Sequence, residues 1–302
     1  MAERQLIRAI QAATADRSGR LVRASGDDAA VVRARPLAVT SIDTVVEGVH
    51  FSLATHSAAD VGWKALATAL SDLAAMGAEP GEAYVALVLP DSFGEALELV
   101  EGMEALAARC DTTIAGGDVV SGSALTVTVA VTGWAEREQQ LIGRDGARPG
   151  DLVGVTGELG GSEAGRLLLE AGEREPAELV RRHLRPEPLL VQGRALAAAG
   201  ASAMVDLSDG LATDAAHVAE RSGAGLRIEL ARIPCANGVS PAEAASGGDD
   251  YELLFTIATE RRAEAEAAAA ISWLGEVVPG DGLILVGTDG RPVDGLLGYE
   301  HG

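Results

Sequence analysis

Residues 58–80 read AADVGWKALATALSDLAAMGAEP, and this stretch sets the organisation of the N-terminal half of the chain. Four apolar residues in it recur at the spacing of one helical face. They are Trp63, Leu66, Leu70 and Leu73. Gly77 and Pro80 follow the last of them and are typical helix-ending residues. The stretch therefore predicts a helix over Ala58–Met76.

The opposite face of this predicted helix carries small residues and a single carboxylate, Asp72. A carboxylate packed among such residues is costly unless it is paired or binds a metal ion. Asp72 is therefore a candidate metal ligand. The alternative is an ion pair with an arginine from a distant part of the chain.

Aspartates recur along the chain in short segments that contain glycine or serine and adjoin a predicted strand or helix. The further segments are Gly26-Asp27-Asp28, Ser41-Ile42-Asp43, Gly116-Gly117-Asp118, Asp206-Leu207-Ser208-Asp209-Gly210 and Gly247-Gly248-Asp249-Asp250. Gathered carboxylates repel one another unless cations lie between them. Mg²⁺ takes oxygen ligands and shares them with substrate phosphates. The pattern predicts a multi-metal phosphate site assembled from distant loops.

Each of these segments also has an ordinary structural interpretation. Ser208 or Asp209 at the start of a helix is a typical N-cap, and a plain turn accounts for Gly116-Gly117. Asp-rich turns are common, so the aspartates nearer the N-terminus are weak signals alone. Asp206, at the end of a predicted strand, is harder to explain by capping.

A glycine-rich loop, Gly157-Glu158-Leu159-Gly160-Gly161, follows a predicted strand and opens a helix. It lacks both the Rossmann glycine spacing and the Gly-Lys-Ser/Thr of a P-loop. Lys64 is the only lysine of the chain, so no P-loop lysine exists elsewhere. The loop is best interpreted as a structural turn, and any phosphoryl chemistry must neutralise charge with metals and arginines.

Charge and composition exclude several classes of protein. The formal net charge of −21 argues against nucleic acid or an anionic membrane as partner. Cys110 and Cys235 lie in no CxxC motif, which fits a reducing cytosol and offers no zinc site. No stretch resembles a signal peptide or a membrane span, so a cytoplasmic protein is expected. No cysteine or serine lies in a nucleophile elbow.

Predicted strands and helices alternate along the 302 residues, of which 47% are hydrophobic. Mixed order of this kind is typical of α/β or α+β layers and argues against a helical bundle or a sandwich. A turn-rich segment, Gly143 to Gly150, separates the two halves. The sequence therefore predicts two domains, residues 1–145 and 146–302.

Taken in order, these segments resemble the thiamine-monophosphate kinase family, part of the wider ATP-binding superfamily of aminoimidazole ribonucleotide synthetase. The resemblance extends from Gly26 to about Tyr299. It implies an N-terminal mixed sheet, or half-barrel, that pairs with its twin in a homodimer, and a C-terminal α/β domain. It further implies phosphorylation of thiamine monophosphate (TMP) to thiamine diphosphate by direct in-line transfer from ATP, with several Mg²⁺ ions.

The resemblance also implies roles for individual residues. The implied metal ligands are Asp28, Ser41, Ile42 (through its backbone), Asp43, Asp72, Asp118, Asp206 and Asp209. The implied ATP contacts are Gly117, Asp118, Arg144 and Ser208, and the implied substrate contacts are His50 and Asp249. Asp43, Asp72, Asp118 and Asp209 are the catalytic candidates among them.

Two positions depart from the pattern of the family. The family usually has glutamate where this chain has Asp249, and an aromatic residue where this chain has Leu296. Tyr299 is the candidate that replaces the missing ring in substrate binding.

Three other functions compete with this interpretation. The first is another ATP-using member of the same superfamily, such as aminoimidazole ribonucleotide synthetase or the hydrogenase maturation carbamoyl dehydratase. The dehydratase needs a cysteine near the C-terminus, and no cysteine follows Cys235; selenophosphate synthetase needs a reactive cysteine or selenocysteine in an N-terminal loop, which is also missing. The second is a non-enzymatic acidic metal-binding protein, which would be expected to contain EF-hand loops, and none occurs. The third is a Mg²⁺-dependent phosphatase, which would hydrolyse a phosphate ester without ATP.

Overall fold

The computed structural model describes residues 3–293 and 295–299, which form two compact units. The N-terminal unit comprises Met1–Leu73 and Ala78–Glu138, and the C-terminal unit comprises Ala74–Gly77 and Gln139–Gly302. The domain boundary after residue 145 stays a prediction.

The N-terminal unit is built around a mixed four-stranded sheet. Its helices and strands are α1 (Glu3–Ala13), β1 (Leu21–Arg23), β2 (Val31–Val32), β3 (Leu37–Val46), α2 (Ala58–Ala75), β4 (Glu79–Leu89), α3 (Ala96–Arg109), β5 (Thr113–Ser121) and β6 (Thr126–Ala135). The strand order is β3-β6-β4-β5, in which β4 and β5 are parallel and the other pairs are antiparallel. The short strands β1 and β2 pair with each other.

One face of this sheet carries the core, and α2 and α3 pack closely beside it. A Cβ at Gly62 would lie 1.9 Å from the carbonyl oxygen of Leu99, and a Cβ at Gly102 would lie 2.1 Å from that of Ala59. Only glycine allows the two helix backbones to approach so closely. The helix predicted over this stretch is confirmed and ends one residue earlier than predicted.

The other face of the sheet is open within the described part of the N-terminal unit. It presents threonines and apolar side chains, because successive residues of a strand point to opposite faces. Ile42 is 66% exposed and Val120 is 48% exposed. Thr44 and Thr128 lie between them, with their hydroxyl oxygens 2.9 Å apart. Exposed apolar surface of this kind is typical of an interaction site.

The C-terminal unit is built around a seven-stranded sheet. Its helices and strands are β7 (Leu152–Thr156), α4 (Gly161–Glu170), α5 (Ala177–Leu184), α6 (Leu190–Ala199), β8 (Ala201–Asp206), α7 (Leu211–Ser222), β9 (Gly225–Glu229), α8 (Pro241–Ser246), β10 (Leu253–Ile257), α9 (Arg262–Ala268), β11 (Ile271–Val278), β12 (Leu283–Val286) and β13 (Pro292–Val293). The strand order is β13-β12-β9-β11-β7-β10-β8. The apolar face of α7 belongs to the core under this sheet.

The predicted mixed α/β class is confirmed, and Asp72 lies on the predicted helix, but Asp43 and Asp118 lie within strands and not in loops as predicted. Asp43 lies within β3, Asp72 within α2 and Asp118 within β5. The prediction missed β5 because glycine is uncommon inside strands. A Cβ at Gly117 would lie 2.0 Å from the carbonyl oxygen of Val85, so the neighbouring strand requires glycine there.

The helices in the described part of the chain include none with the length and apolarity that crossing a bilayer requires.

Candidate functional site

The N-terminal unit brings three of the predicted metal ligands together. Ser41 Oγ donates a hydrogen bond to Asp72 Oδ2 and so joins β3 to α2. Asp43 follows two residues after Ser41 and therefore points to the same face of the sheet. Asp72 has no arginine partner among the described residues, so the ion-pair alternative is not observed. These oxygens are suitable ligands for a hard cation.

Asp118 lies away from this cluster within one chain. The pairs of the sheet place Asp43 opposite Val129 and Asp118 beside Ala86. When these pairs are followed from strand to strand across the sheet, Asp43 lies on the core face and Asp118 lies on the open face. They also lie three strands apart, which is about 14 Å at ordinary strand spacing. One chain therefore does not bring these two carboxylates to one metal ion.

Asp28 and His50 are held by local contacts. Asp28 is exposed, and its backbone N–H donates to Asp27 Oδ1 at 3.1 Å. His50 is half-buried, and its Nδ1 accepts the backbone N–H of Val46 at 3.1 Å. No described hydrogen bond or ion pair joins Asp28 to the cluster at Ser41 and Asp72.

In the C-terminal unit, residues 206–210 connect β8 to α7 and carry the second group of predicted ligands. Asp206 is 3% exposed at the end of its strand. Gly210 has φ of 107°, and a Cβ there would lie 2.9 Å from the carbonyl oxygen of Ser246. Positive φ and the close backbone both require glycine at this position.

A second loop, residues 247–251, is hydrogen-bonded to the first. The backbone N–H of Asp249 donates to the carbonyl of Ser208, and that of Tyr251 donates to the carbonyl of Leu207, both at 2.8 Å. The hydroxyl of Tyr251 donates to Asp249 Oδ1 at 2.9 Å. Asp249 is thereby held in a left-handed conformation with φ of 63° beside the metal-ligand candidates.

The C-terminal segment 295–299 also contacts the first loop. The backbone N–H of Tyr299 donates to the carbonyl of Asp209 at 2.8 Å, and that of Gly298 donates to Thr213 Oγ1 at 2.9 Å. The structure thus gathers five predicted site residues at one edge of the C-terminal sheet. They are Asp206, Ser208, Asp209, Asp249 and Tyr299.

Gly298→Ala is expected to lower activity by displacing this segment. A Cβ at Gly298 would lie 1.9 Å from the carbonyl oxygen of Asp209, so the chain must move by more than an ångström to accept it. Because Tyr299 is a predicted substrate contact, we expect a displacement of that size to cost about 100-fold in turnover. Steady-state kinetics would measure this loss, and Gly94→Ala is the control, because nothing lies within 4 Å of its added Cβ and its φ, like that of Gly298, is not positive. Equal activity of the two variants would contradict the prediction.

Two further residues, Asp214 and His217, lie beside Asp209, and the sequence analysis missed both. Oxygens of Asp209 and Asp214 and a ring nitrogen of His217 lie within 4.8 Å of one another. Burial, and then the nearby charges of Asp206 and Asp209, raise the pKa of Asp214 to about 8. Their spacing in the sequence could have indicated both residues, since residues three apart in the helix that follows the 206–210 loop share a face.

Arg144 borders a cleft in the same unit. The cleft has a volume of about 550 Å³ and is lined by Met76, Gly143, Arg144, Asp145, His217, Glu220 and Arg221. Ser222 Oγ donates to the carbonyl of Arg144 at 2.9 Å and accepts the N–H of Ala147 at 3.1 Å, which ties the Arg144 loop to α7. His217 belongs both to this cleft and to the carboxylate group at Asp209.

The glycine-rich loop at residues 157–161 is occupied from within the chain. Asp250 accepts the backbone N–H of Gly160 at 2.6 Å and that of Ser162 at 3.2 Å. An internal carboxylate therefore occupies the position at the start of α4 where an anionic ligand would bind. The contacts support the structural interpretation of this loop.

Asp250 is expected to make stability depend on pH. Burial raises the pKa of its carboxyl from 3.8 to about 7, so the folded state holds a proton that the unfolded chain releases earlier as pH rises. The free energy of unfolding should therefore fall between about pH 4 and about pH 7. Asp250→Asn lacks this titration, so urea unfolding should show the parent losing stability relative to the variant with rising pH. Parallel pH profiles would contradict this assignment.

Comparison with known proteins identifies the family. The N-terminal domain of AIR synthase related proteins matches residues 26–135, and the C-terminal domain of the same proteins matches residues 148–288. Thiamine-monophosphate kinase of Escherichia coli K12 is 38% identical over 300 residues, which cover 91% of this chain and 90% of the relative. The chain belongs to the thiamine-monophosphate kinase family. The predicted family and two-domain fold are thus confirmed.

Solved structures of thiamine-monophosphate kinases agree with this assignment. The enzyme from Stenotrophomonas maltophilia K279a is 34% identical, superposes with a TM-score of 0.85 and covers 97% of this chain and 98% of its own. AaThiL complexed with AMPPCP and TMP is 33% identical, with a TM-score of 0.78 and 85% coverage of both chains. The similarity includes both units of the described fold.

Leu296 and Tyr299 are the two residues on which the predicted departure from the pattern of the thiamine-monophosphate kinase family rests. Leu296, which stands where an aromatic ring is expected, packs against the core of the C-terminal unit. Tyr299 is 54% exposed and lies beside Asp209. Its role as the replacement ring stays a prediction.

Proposed function

We propose that this protein transfers the γ-phosphoryl group of ATP to TMP and releases thiamine diphosphate and ADP. The observation that carries the proposal is the convergence of Asp206, Ser208, Asp209 and Asp249 in one hydrogen-bonded pair of loops. The sequence similarity to thiamine-monophosphate kinases, and the binding of an ATP analogue and TMP by a relative, support it. A cytoplasmic location is part of the proposal.

The predicted ligands at Ser41, Asp43 and Asp72 and those near Asp206 are both suitable for binding Mg²⁺. Carboxylate and hydroxyl oxygens are the ligands this ion prefers, and a cation bound among the carboxylates near Asp206 would offset their mutual repulsion. We assign several Mg²⁺ ions to the predicted aspartates. When bound, Mg²⁺ neutralises phosphate charge and aligns the reacting oxygen with phosphorus.

The protein residues have to position two polyanions, and no general base is required. The second pKa of a phosphate monoester is near 6, so TMP is largely dianionic at neutral pH. We assign Asp249 and Tyr299 to the binding of TMP, with His50 as a further contact. We assign Arg144 and the hydroxyl of Ser208 to the binding of ATP, and positioning carries most of the rate.

We further assign a homodimer that forms through the N-terminal sheet. The open sheet face presents Ile42 and Val120, which a second copy would cover. The positions of Asp43 and Asp118 on opposite faces also support two chains, since one chain does not bring them to one ion. A two-fold dimer supplies each carboxylate twice.

Val120→Glu is expected to convert the dimer into a monomer, because it places a charge in the face that becomes buried. Sedimentation velocity would detect the change in mass. Val22→Glu is the matched control, since Val22 is another exposed valine of the N-terminal unit but lies in β1, outside the four-stranded sheet. A monomeric parent protein, or a dimeric Val120→Glu variant, would contradict the assignment.

The function is tested by incubating the protein with ATP, Mg²⁺ and TMP and separating the products by chromatography. Thiamine diphosphate with equimolar ADP is expected. Free phosphate without thiamine diphosphate would instead identify a phosphatase. Binding of ATP without turnover of TMP would indicate that the protein uses the substrate of another ATP-using member of the superfamily.

A further inference from the structure

Asp214 is a buried carboxylate whose hydrogen bonds are directed to the predicted metal-binding loop. It is 2% exposed, and its Oδ2 accepts the backbone N–H groups of Asp209 and Gly210, each at 3.1 Å. Its Oδ1 lies 3.9 Å from His217 Nδ1. The described residues include no arginine or lysine ion-paired with it.

This geometry differs from ordinary helix capping. The N-cap of α7 is Gly210, which has no side chain to accept from the first turn. Its bond to the N–H of Gly210 resembles half of a capping box, as at α8, where Glu243 Oε2 accepts the N–H of the N-cap residue Ser240 at 2.8 Å. Its bond to the N–H of Asp209, one residue before the N-cap, is the contact that capping does not account for. Asp214 therefore constrains the loop more than it stabilises the helix.

The carboxyl of Asp214 lies close to the charges of Asp206 and Asp209, and Arg144 is near enough to offset part of their effect. What Asp214 supplies to the loop is an acceptor for two backbone N–H groups, which a neutral amide oxygen could supply equally well. Both hydrogen bonds are directed to the backbone at Asp209 and Gly210, so they fix the loop that carries the predicted metal ligands.

We propose that Asp214 is a positioning residue, which holds the backbone of Asp209 and Gly210 so that the carboxylates of Asp206 and Asp209 are aimed at the metal ions. The proposal deepens the proposed function and rests on it for the identity of the reaction. Asp214 acts through the backbone of its neighbours and does not need to contact TMP or ATP.

The test compares Asp214→Ala and Asp214→Asn with the parent protein. The alanine removes the acceptor, whereas the asparagine keeps an oxygen that can accept the same two N–H groups and removes only the charge. Loss of a residue that orients metal ligands typically costs about 10–100-fold in metal affinity or activity. We expect a loss of this size in Asp214→Ala, and recovery of most of it in Asp214→Asn.

Asp151→Ala provides the matched control. Asp151 is 6% exposed, and its Oδ2 accepts the N–H of Arg148 at 3.1 Å and the hydroxyl of Ser202 at 2.6 Å. Ser202 and Asp206 lie at opposite ends of β8, so this control removes a similar pair of buried hydrogen bonds away from the loop. It should lower the unfolding temperature but keep the metal affinity of the parent.

Three measurements separate the outcomes. Mn²⁺ binding followed by electron paramagnetic resonance, amide hydrogen exchange at Asp209 and Gly210, and the Mg²⁺ dependence of kcat are measured on each variant. Weaker Mn²⁺ binding and faster exchange in Asp214→Ala, both reversed in Asp214→Asn, would support the proposal. Parent-like Mn²⁺ binding in Asp214→Ala would overturn it, and so would equal losses in both variants, which would make Asp214 a metal ligand itself.

Failure of the proposed function would be recognised separately. Mn²⁺ binding and amide exchange do not depend on TMP turnover, so they test the positioning role even if the parent phosphorylates another acceptor. Absence of thiamine diphosphate formation by the parent protein would refute only the proposed reaction.

Discussion

Asp72→Asn is expected to lower kcat about a thousandfold, because a metal ion that clamps a transferring phosphoryl group supplies several kcal/mol of transition-state stabilisation. Stability should change little, since the amide oxygen of asparagine can still accept the hydrogen bond from Ser41 Oγ. A single hydrogen bond of this kind contributes only about 1 kcal/mol to folding. Measured on the same preparations, the variant should therefore show a large loss of turnover and an almost unchanged unfolding temperature.

Asp60→Asn is the matched control for this variant. Asp60 lies in the first turn of the same helix, and its Oδ2 accepts the N–H of Ser57 at 3.1 Å. Its substitution should leave turnover unchanged while removing part of the capping interaction. Full activity of Asp72→Asn at ordinary Mg²⁺ concentrations would refute the metal assignment, and a parallel loss of folding would reduce Asp72 to a structural role.

Asp43→Asn and Asp118→Asn are each expected to abolish turnover alone but to restore it when the two chains are co-expressed. Because the two side chains lie on opposite faces of one sheet, we expect each site to take Asp43 from one copy and Asp118 from the other. Random pairing would make half of the dimers mixed, with one intact site in each. Activity should recover to about one quarter of the parent value for a two-fold dimer.

The controls for this experiment are co-expression of each variant with itself. Neither should regain activity, and the mixed preparation should contain the same amount of dimer as the parent. No recovery in the mixture, with dimer formation intact, would show that both carboxylates act within one chain. This outcome would leave the reaction in place and remove the argument for shared sites.

The acidic charge of the chain is compatible with anionic substrates only if cations accompany them. The described carboxyl groups near Asp206 lie in a small, partly buried region, where repulsion is weakly screened and contributes to the raised pKa of Asp214. ATP and TMP would add further negative charge there. Binding of either substrate should accordingly depend steeply on Mg²⁺.

Local sequence patterns were sufficient for much of the fold. The stripe on α2, the strand before Gly157 and the helix that starts near Asp209 follow from hydrophobic periodicity and from turn residues, which neighbours along the chain determine. The ordered aspartate motifs also predicted the family. The loop at 206–210 was predicted as a site because a carboxylate at the end of a strand is hard to explain by capping alone.

Other features needed contacts between residues that are distant in the chain. β5 contains Gly116 and Gly117, and its strand conformation is imposed by pairing with β4, which outweighs the low strand propensity of glycine. Asp214 resembles any acidic residue in a first helical turn until the loop before it folds back onto its carboxylate. No local pattern distinguishes these positions.

The sequence by itself determined which residue types could bind metal and phosphate, because carboxylates and glycines keep their chemistry wherever they lie. Only the tertiary structure decided which of them meet. Sheet register places Asp43 and Asp118 on different faces, and hydrogen bonds between loops bring Asp249 to Ser208. The reason is physical: the side-chain direction along a strand alternates with every residue, so a single-residue change in register reverses the face to which each side chain points.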